Sequence, residues 1–237
     1  MTKFSIGTMT IDDLGRLAAL ESRGVTRDPW DAAIEPPDET ARVLLHYLTG
    51  KLAGTTRLNE ATVWSRAVYP LLELAEVGGV RAWAAVPITA KDPHSDTEIA
   101  GIVDGVLAPE ALAAGDPGQP FLLVVEAKRG VHATDPWPQL LAAILAVLWK
   151  KLSGGRATTS AEAFGCFTVS DTWTFVHAAA STRPEGQEPR LAVSLSWSPE
   201  YAERVEGEAI FRVLRWIARR GLAPAALTDP RAAVDVK

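Results

Sequence analysis

The chain has 237 residues, 47% of them hydrophobic and 22% charged, with a net charge of −5. That balance excludes wholesale disorder and allows one domain with additions or two small ones around a substantial core. It argues against a protein that coats nucleic acid with one broad basic surface, while leaving room for a local basic groove.

Cys166 is the single cysteine, which rules out an internal disulfide framework and a Cys-based zinc cage and fits a reducing cytosol. The opening MTKFSIGTMTIDDLG lacks a basic segment followed by an apolar core, so no secretory signal is expected. The longest apolar run, residues 140–149, is about half of what a bilayer-crossing helix requires. The expectation is a cytoplasmic protein with no membrane association.

Residues 1–57 read as a helical N-terminal extension, with a cap at Thr10 before IDDLGRLAALESRG and a second helix in DETARVLLHYLTGKL. The proline-rich, charged VTRDPWDAAIEPP between them reads as a surface loop. A second region, residues 58–237, carries a continuous α/β pattern. It opens with a helix in NEATVWSRAVYPLLELAEVGG, where Pro70 predicts a kink or restart near Tyr69 and Gly78-Gly79 closes the element. VRAWAAVPITA and TEIAGIVDGVLA follow as strands, the second carrying Asp104, and then FLLVVEAKRG as a third. Consecutive strands with non-helical connections usually pair antiparallel, so Asp104 and Glu126 are expected to face each other across neighbouring strands.

Asp135 and Pro136 signal a helix start, and PQLLAAILAVLWKKL is apolar nearly all round, as expected of a buried crossover. Its polar exception is Gln139, in the first turn. Strands in AFGCFTVSD, TWTFVHAA and RLAVSLSWS come next, and the last helix, ERVEGEAIFRVLRWIARRG, aligns Arg212, Arg215 and Arg219 on one face. Such a stripe is either a solvated face or a surface for phosphates or a partner.

The stretch FLLVVEAKRG raises the chemical question. Side chains alternate along a strand, so Glu126 and Lys128 share the face of Val124, opposite Leu123, Val125 and Ala127. An ionised group moved from water into a sheet interior loses several kcal/mol of solvation, and a neighbouring ion offsets this only with good geometry. Either a partner compensates Glu126, or the strand simply runs out into water.

Taken together, the order is a helix with Glu60, a strand, a strand with Asp104, a strand with Glu126 and Lys128, a helix with Gln139, and a strand. This order resembles the PD-(D/E)XK nuclease superfamily over about residues 58–178. NEATVWSRAVYPLL followed by AFGCFTVSDTWTF is similar to the N-terminal nuclease domains of restriction-enzyme motor subunits. The resemblance implies a restriction-endonuclease-like α/β fold, with a mixed central sheet flanked by helices. It implies Mg²⁺ (or Mn²⁺) held by Asp104, Glu126, the Ala127 carbonyl and Glu60, with Lys128 orienting the attacking water and Gln139 completing the catalytic set. Arg129 and His132 would hold the phosphates of DNA. Where family members carry a tyrosine four residues after the glutamine, this chain has Ala143, and Val103 stands where a proline is common.

The resulting expectation is a Mg²⁺-dependent DNA endonuclease of a restriction or defence system, working as a homodimer, since cutting both strands calls for two sites, or with a separate motor or partner subunit, since the chain has no Walker-type loop. Two other readings stay open: a nuclease fold with weak or lost catalysis that binds nucleic acid or protein, and an unrelated α/β domain with surface carboxylates. No Gly-x-Ser-x-Gly, His-Glu-x-x-His or dinucleotide-binding motif is present, and His46, His94, His132 and His177 lack metal-ligand spacing.

Overall fold

The computed structural model describes residues 1–52, 60–110, 121–128, 135–153 and 159–220, with the side chains of Leu52 and Glu60 outside that set. The protein is a mixed α/β structure in which helices cover both faces of one central mixed sheet.

The first 52 residues depart from the expected helical extension. Strand β1 (Thr2–Ser5) comes first, and helix α1 (Ile11–Leu17) begins where the sequence predicts. There the Thr10 hydroxyl accepts from the Asp13 N–H at 3.1 Å and the Asp13 carboxylate accepts from the Thr10 N–H at 3.1 Å, closing a capping box. The helix then stops short. Ala18 is extended, and Ala19–Val25 forms strand β2, which pairs in parallel with the late strand Leu191–Trp197. An open sheet edge gives these backbone groups partners that a further turn of helix would also supply, and tertiary pairing wins over local periodicity. Helix α2 (Glu39–Leu52) forms as expected. Because β1 and β2 are hydrogen-bonded into the central sheet, the region is part of that sheet and not a purely helical extension to it.

The helix expected from residue 59 is divided into α3 (Glu60–Val63), a π-helical turn over Trp64–Val68, and α4 (Tyr69–Leu74). Pro70 has no N–H to give, and the widened turn just before it, with Tyr69 N–H bonded to the Trp64 carbonyl, accommodates the break. The helix ends before the glycines. Gly78 and Gly79, with φ of 53° and 86°, serve the turn into the next strand.

Strands β3 (Val80–Lys91) and β4 (Thr97–Pro109) pair antiparallel along their length, and β5 (Leu123–Lys128) pairs antiparallel with β4. Helix α5 (Trp137–Ser153) is the expected crossover. It leads to β6 (Ser160–Val169), parallel to β5, and its residues Leu140 to Trp149 are all buried. Asp135 starts it, its carboxylate accepting from the Trp137 N–H at 3.0 Å. An antiparallel run follows through β7 (Thr172–Thr182) and β8 (Leu191–Trp197), and the short β9 (Tyr201–Ala202) leads into α6 (Glu203–Arg220).

One face of the sheet packs on α1 and α5, the other on α2 to α4 and α6. The arginines of α6 meet acceptors on this same chain. Arg215 donates to the carbonyls of Glu76 at 2.6 Å and Leu74 at 3.2 Å, where α4 ends. Arg219 pairs with Glu35 and Arg212 with Glu208. Arg215 and Arg219 therefore fasten α6 to its neighbours, while Arg212 pairs along the helix itself, so the stripe is neither simply solvated nor free for phosphates. No helix among the described residues is long and apolar enough to cross a membrane.

Candidate active site

Asp104 and Glu126 lie on neighbouring strands where β4 changes partners. Since β3 occupies one edge of β4 from Glu98 to Pro109, β1 and β5 share the other edge, β1 beside Thr97–Ala100 and β5 beside Gly105–Leu107. β1 runs parallel to β4 and β5 antiparallel, so their carboxyl ends approach each other along the intervening stretch Gly101–Asp104. Crevices beyond the carboxyl ends of strands, where sheet connectivity changes, are where α/β proteins place ligands.

Both long strands exchange faces at this level. Val86, Ile88 and Ala90 pack on the α5 side, whereas Val80 and Ala82 pack on the other. In β4, Ile99 and Val103 share the α5 side with Val106 and Ala108, which also breaks the alternation. The pivot is Ala85, whose φ of 52° is left-handed and costs a non-glycine residue about 1–3 kcal/mol. Directly beside Ala85 lies Asp104. The pairing of β4 with β5 stops at Gly105 and Val125. One position further, the Asp104 side chain replaces the ladder, its Oδ2 accepting from the Ala127 N–H at 2.7 Å. Its other oxygen, Oδ1, has no hydrogen-bond partner among the described residues.

Glu126 would lie opposite Asp104 if the register continued, and its neighbour Ala127 is the residue that Asp104 holds. Glu126 and Lys128 fall on one face as expected, the face of Val124 and α5. Their strand does not run out into water: Glu126 is 5% and Lys128 9% exposed. The Lys128 ammonium donates to Glu126 Oε1 at 2.6 Å, which compensates the buried carboxylate. Strand β5 thus closes the site with a buried ion pair, and β4 brings a half-buried carboxylate to its backbone.

The remaining expected residues are placed less closely. Gln139 sits in the first turn of α5, half-buried, and its Nε2 points toward Gly7 in the 3₁₀ turn Ile6–Thr8 that follows β1. Glu60 opens α3, which packs beside β5, but its side chain lies outside the described residues. Arg129 and His132 also lie outside them.

Two wall elements escape sequence reasoning. The turn Ile6–Thr8 presses Ile6 on Gly101, where an added Cβ would stand 2.7 Å from the Ile6 Cβ. On the opposite face the Trp64 ring lies on Gly105, so closely that a Cβ there would overlap Cη2. A lone glycine in a strand signals such close approach, and Gly101 and Gly105 flanking Asp104 carried that signal.

The expected ligands Asp104, Glu126 and the Ala127 carbonyl would all offer oxygen, the donor type that Mg²⁺ or Mn²⁺ takes and that softer metals do not select. Among the described residues no group of three His, Cys, Asp or Glu side chains converges, so a cation here would complete its shell with backbone oxygen and water. No protein-family model matches the chain, and no curated protein matches it significantly.

Proposed function

We propose that the chain is a Mg²⁺-dependent nuclease of the restriction-endonuclease-like fold, hydrolysing phosphodiester bonds of DNA. The observation that supports this most is the Asp104 carboxylate bonded to the backbone of the Glu-x-Lys strand, at the residue between Glu126 and Lys128. The sequence of elements agrees with the fold: helices α3 and α4, the antiparallel trio β3, β4 and β5, the crossover α5, and the parallel strand β6.

Asp104, Glu126 and the Ala127 carbonyl would hold the cation, with Glu60 from α3 available for a second ion or its water. When bound, Mg²⁺ supplies positive charge against the developing phosphorane and makes a coordinated water more acidic. Lys128 does the rest of the electrostatic work. Its ammonium, fixed beside Glu126, orients the attacking water and stabilises transition-state charge. Gln139, in the first turn of α5 beside the Ile6–Thr8 turn, would complete the catalytic set, and Arg129 and His132, which come after β5 in the sequence, would contact phosphates. A homodimer or a partner subunit would supply a second site for cutting both strands.

A second reading has one observation in its favour. Glu126 is nearly fully buried and already saturated at Oε1 by Lys128, as suits a nuclease fold retained for binding nucleic acid or protein. Incubating the protein with plasmid, linear duplex, single-stranded DNA and RNA in Mg²⁺ or Mn²⁺ separates the two. Metal-dependent DNA cleavage is expected, falling on the order of a hundredfold or more in Glu126→Ala, Lys128→Ala and Asp104→Ala. Cleavage unchanged by all three substitutions rules the mechanism out, and intact substrates throughout favour the binding reading.

A further inference from the structure

At the same end of the sheet, on the opposite face, lies a carboxyl group that the proposed chemistry does not use. Glu203, the first residue of α6, is 0% exposed. Its Oε2 accepts from the Trp173 indole N–H at 2.8 Å, while Oε1 is buried without a hydrogen-bond partner among the described residues. One indole N–H is far less than an ionised carboxylate needs in an apolar surround, whereas a neutral carboxyl tolerates it.

The segment that carries Glu203 is separable. β9 is only Tyr201 and Ala202, paired with Thr172 and Trp173. Helical geometry breaks at Glu206, with φ −119° and ψ 21°, and the Glu206 carboxylate accepts from the Ala202 N–H at 2.8 Å. Residues 201–206 thus form a short strap with its own internal tie and a natural hinge. The strap is joined to the β6–β7 turn through the backbone, the Glu203 N–H donating to the Asp171 carbonyl at 2.8 Å. The adjacent Ser170 N–H donates to the carbonyl of Lys128 at 2.9 Å, at the end of β5.

We propose that Glu203 is a proton-operated latch: neutral, it holds the strap 201–206 against the β6–β7 turn, and ionised, it releases the strap and loosens the turn that abuts Lys128. The charged groups around it do not cancel this. Asp171, from the turn, opposes ionisation, and Arg204, the next residue of α6, favours it, but Arg204 Nε and Asp171 Oδ2 are paired with each other at 2.8 Å. Asp31 and Glu206 add further negative charge near the neighbouring Tyr201. Trp173, from β7, supplies the one favourable hydrogen bond to the carboxyl group among the described residues. Burial first, then Asp171, push the Glu203 carboxyl up to about 7 from its ordinary 4.5. A raised carboxyl favours the closed form fully below the ordinary value, and that preference is lost as pH rises through the raised one, so the latch works between about pH 4.5 and 7.

Hydrogen exchange of the full chain at pH 5.5 and 8.5, corrected for intrinsic rates, tests this. The amides of Ser170 and Glu203 are expected to lose protection by at least about tenfold relative to that of Val213, deeper in α6. Glu203→Gln, which cannot ionise, is expected to hold the ratio constant. A constant ratio in the unmodified protein overturns the latch even if the variant does not fold, and so does a Glu203→Gln profile with the unmodified slope.

Discussion

Lys128→Ala is expected to destabilise the protein by about 3–5 kcal/mol in the presence of a chelator, the usual cost of stripping one partner from a buried ion pair. Glu126, 5% exposed in the unmodified protein, would lose the ammonium at 2.6 Å. The paired replacement Glu126→Gln with Lys128→Met keeps the volume and removes both charges, so it should cost much less than the single change. Urea denaturation of the two variants measures the difference. If Asp104, Glu126 and Ala127 take a divalent cation, adding Mn²⁺ should restore part of the stability of Lys128→Ala and none of that of the double variant. A cost below about 1 kcal/mol for Lys128→Ala would show that water screens the pair as it does a surface ion pair.

Gly105→Ala is expected to cost about 2–3 kcal/mol, at the upper end for inserting a methyl into a packed core. The new Cβ would overlap Trp64 Cη2 and stand 3.3 Å from the Trp83 carbonyl, so neither a side-chain adjustment nor a backbone shift relieves it alone. Because Gly105 adjoins Asp104, any backbone shift also moves the carboxylate off the Ala127 amide. Adding Trp64→Leu should recover a good part of the loss, a coupling that thermal denaturation of the four-member cycle reads directly. Equal costs with and without Trp64 would mean that the glycine answers a backbone demand and not the indole.

These two residues also show what the sequence made legible. Glu126 and Lys128 could be assigned to one face because strand alternation is a local rule, and Asp104 could be set against them because β4 and β5 are consecutive. The crossover α5 and the capping box at Thr10 were legible for the same reason: every determinant lies within a few residues. The contacts that complete the site are not local. The left-handed Ala85 swaps the faces of β3 and β4, yet alanine carries no sign of positive φ. Strands β1 and β2 take their partners from β4 and β8, far along the chain, and residues 19–25 continue a helical spacing that the open edge of β8 overrides. The arginine stripe of α6 reads as a solvated or binding face only until the carbonyls of Leu74 and Glu76 are brought against Arg215.

Direct titration of Mn²⁺ and Mg²⁺ into the unmodified protein, Asp104→Asn and Glu126→Gln, followed by calorimetry, bears most closely on the proposed metal site. The account predicts saturable binding to the unmodified protein that each substitution weakens on the order of tenfold or more. Isotherms that coincide for all three proteins would contradict it.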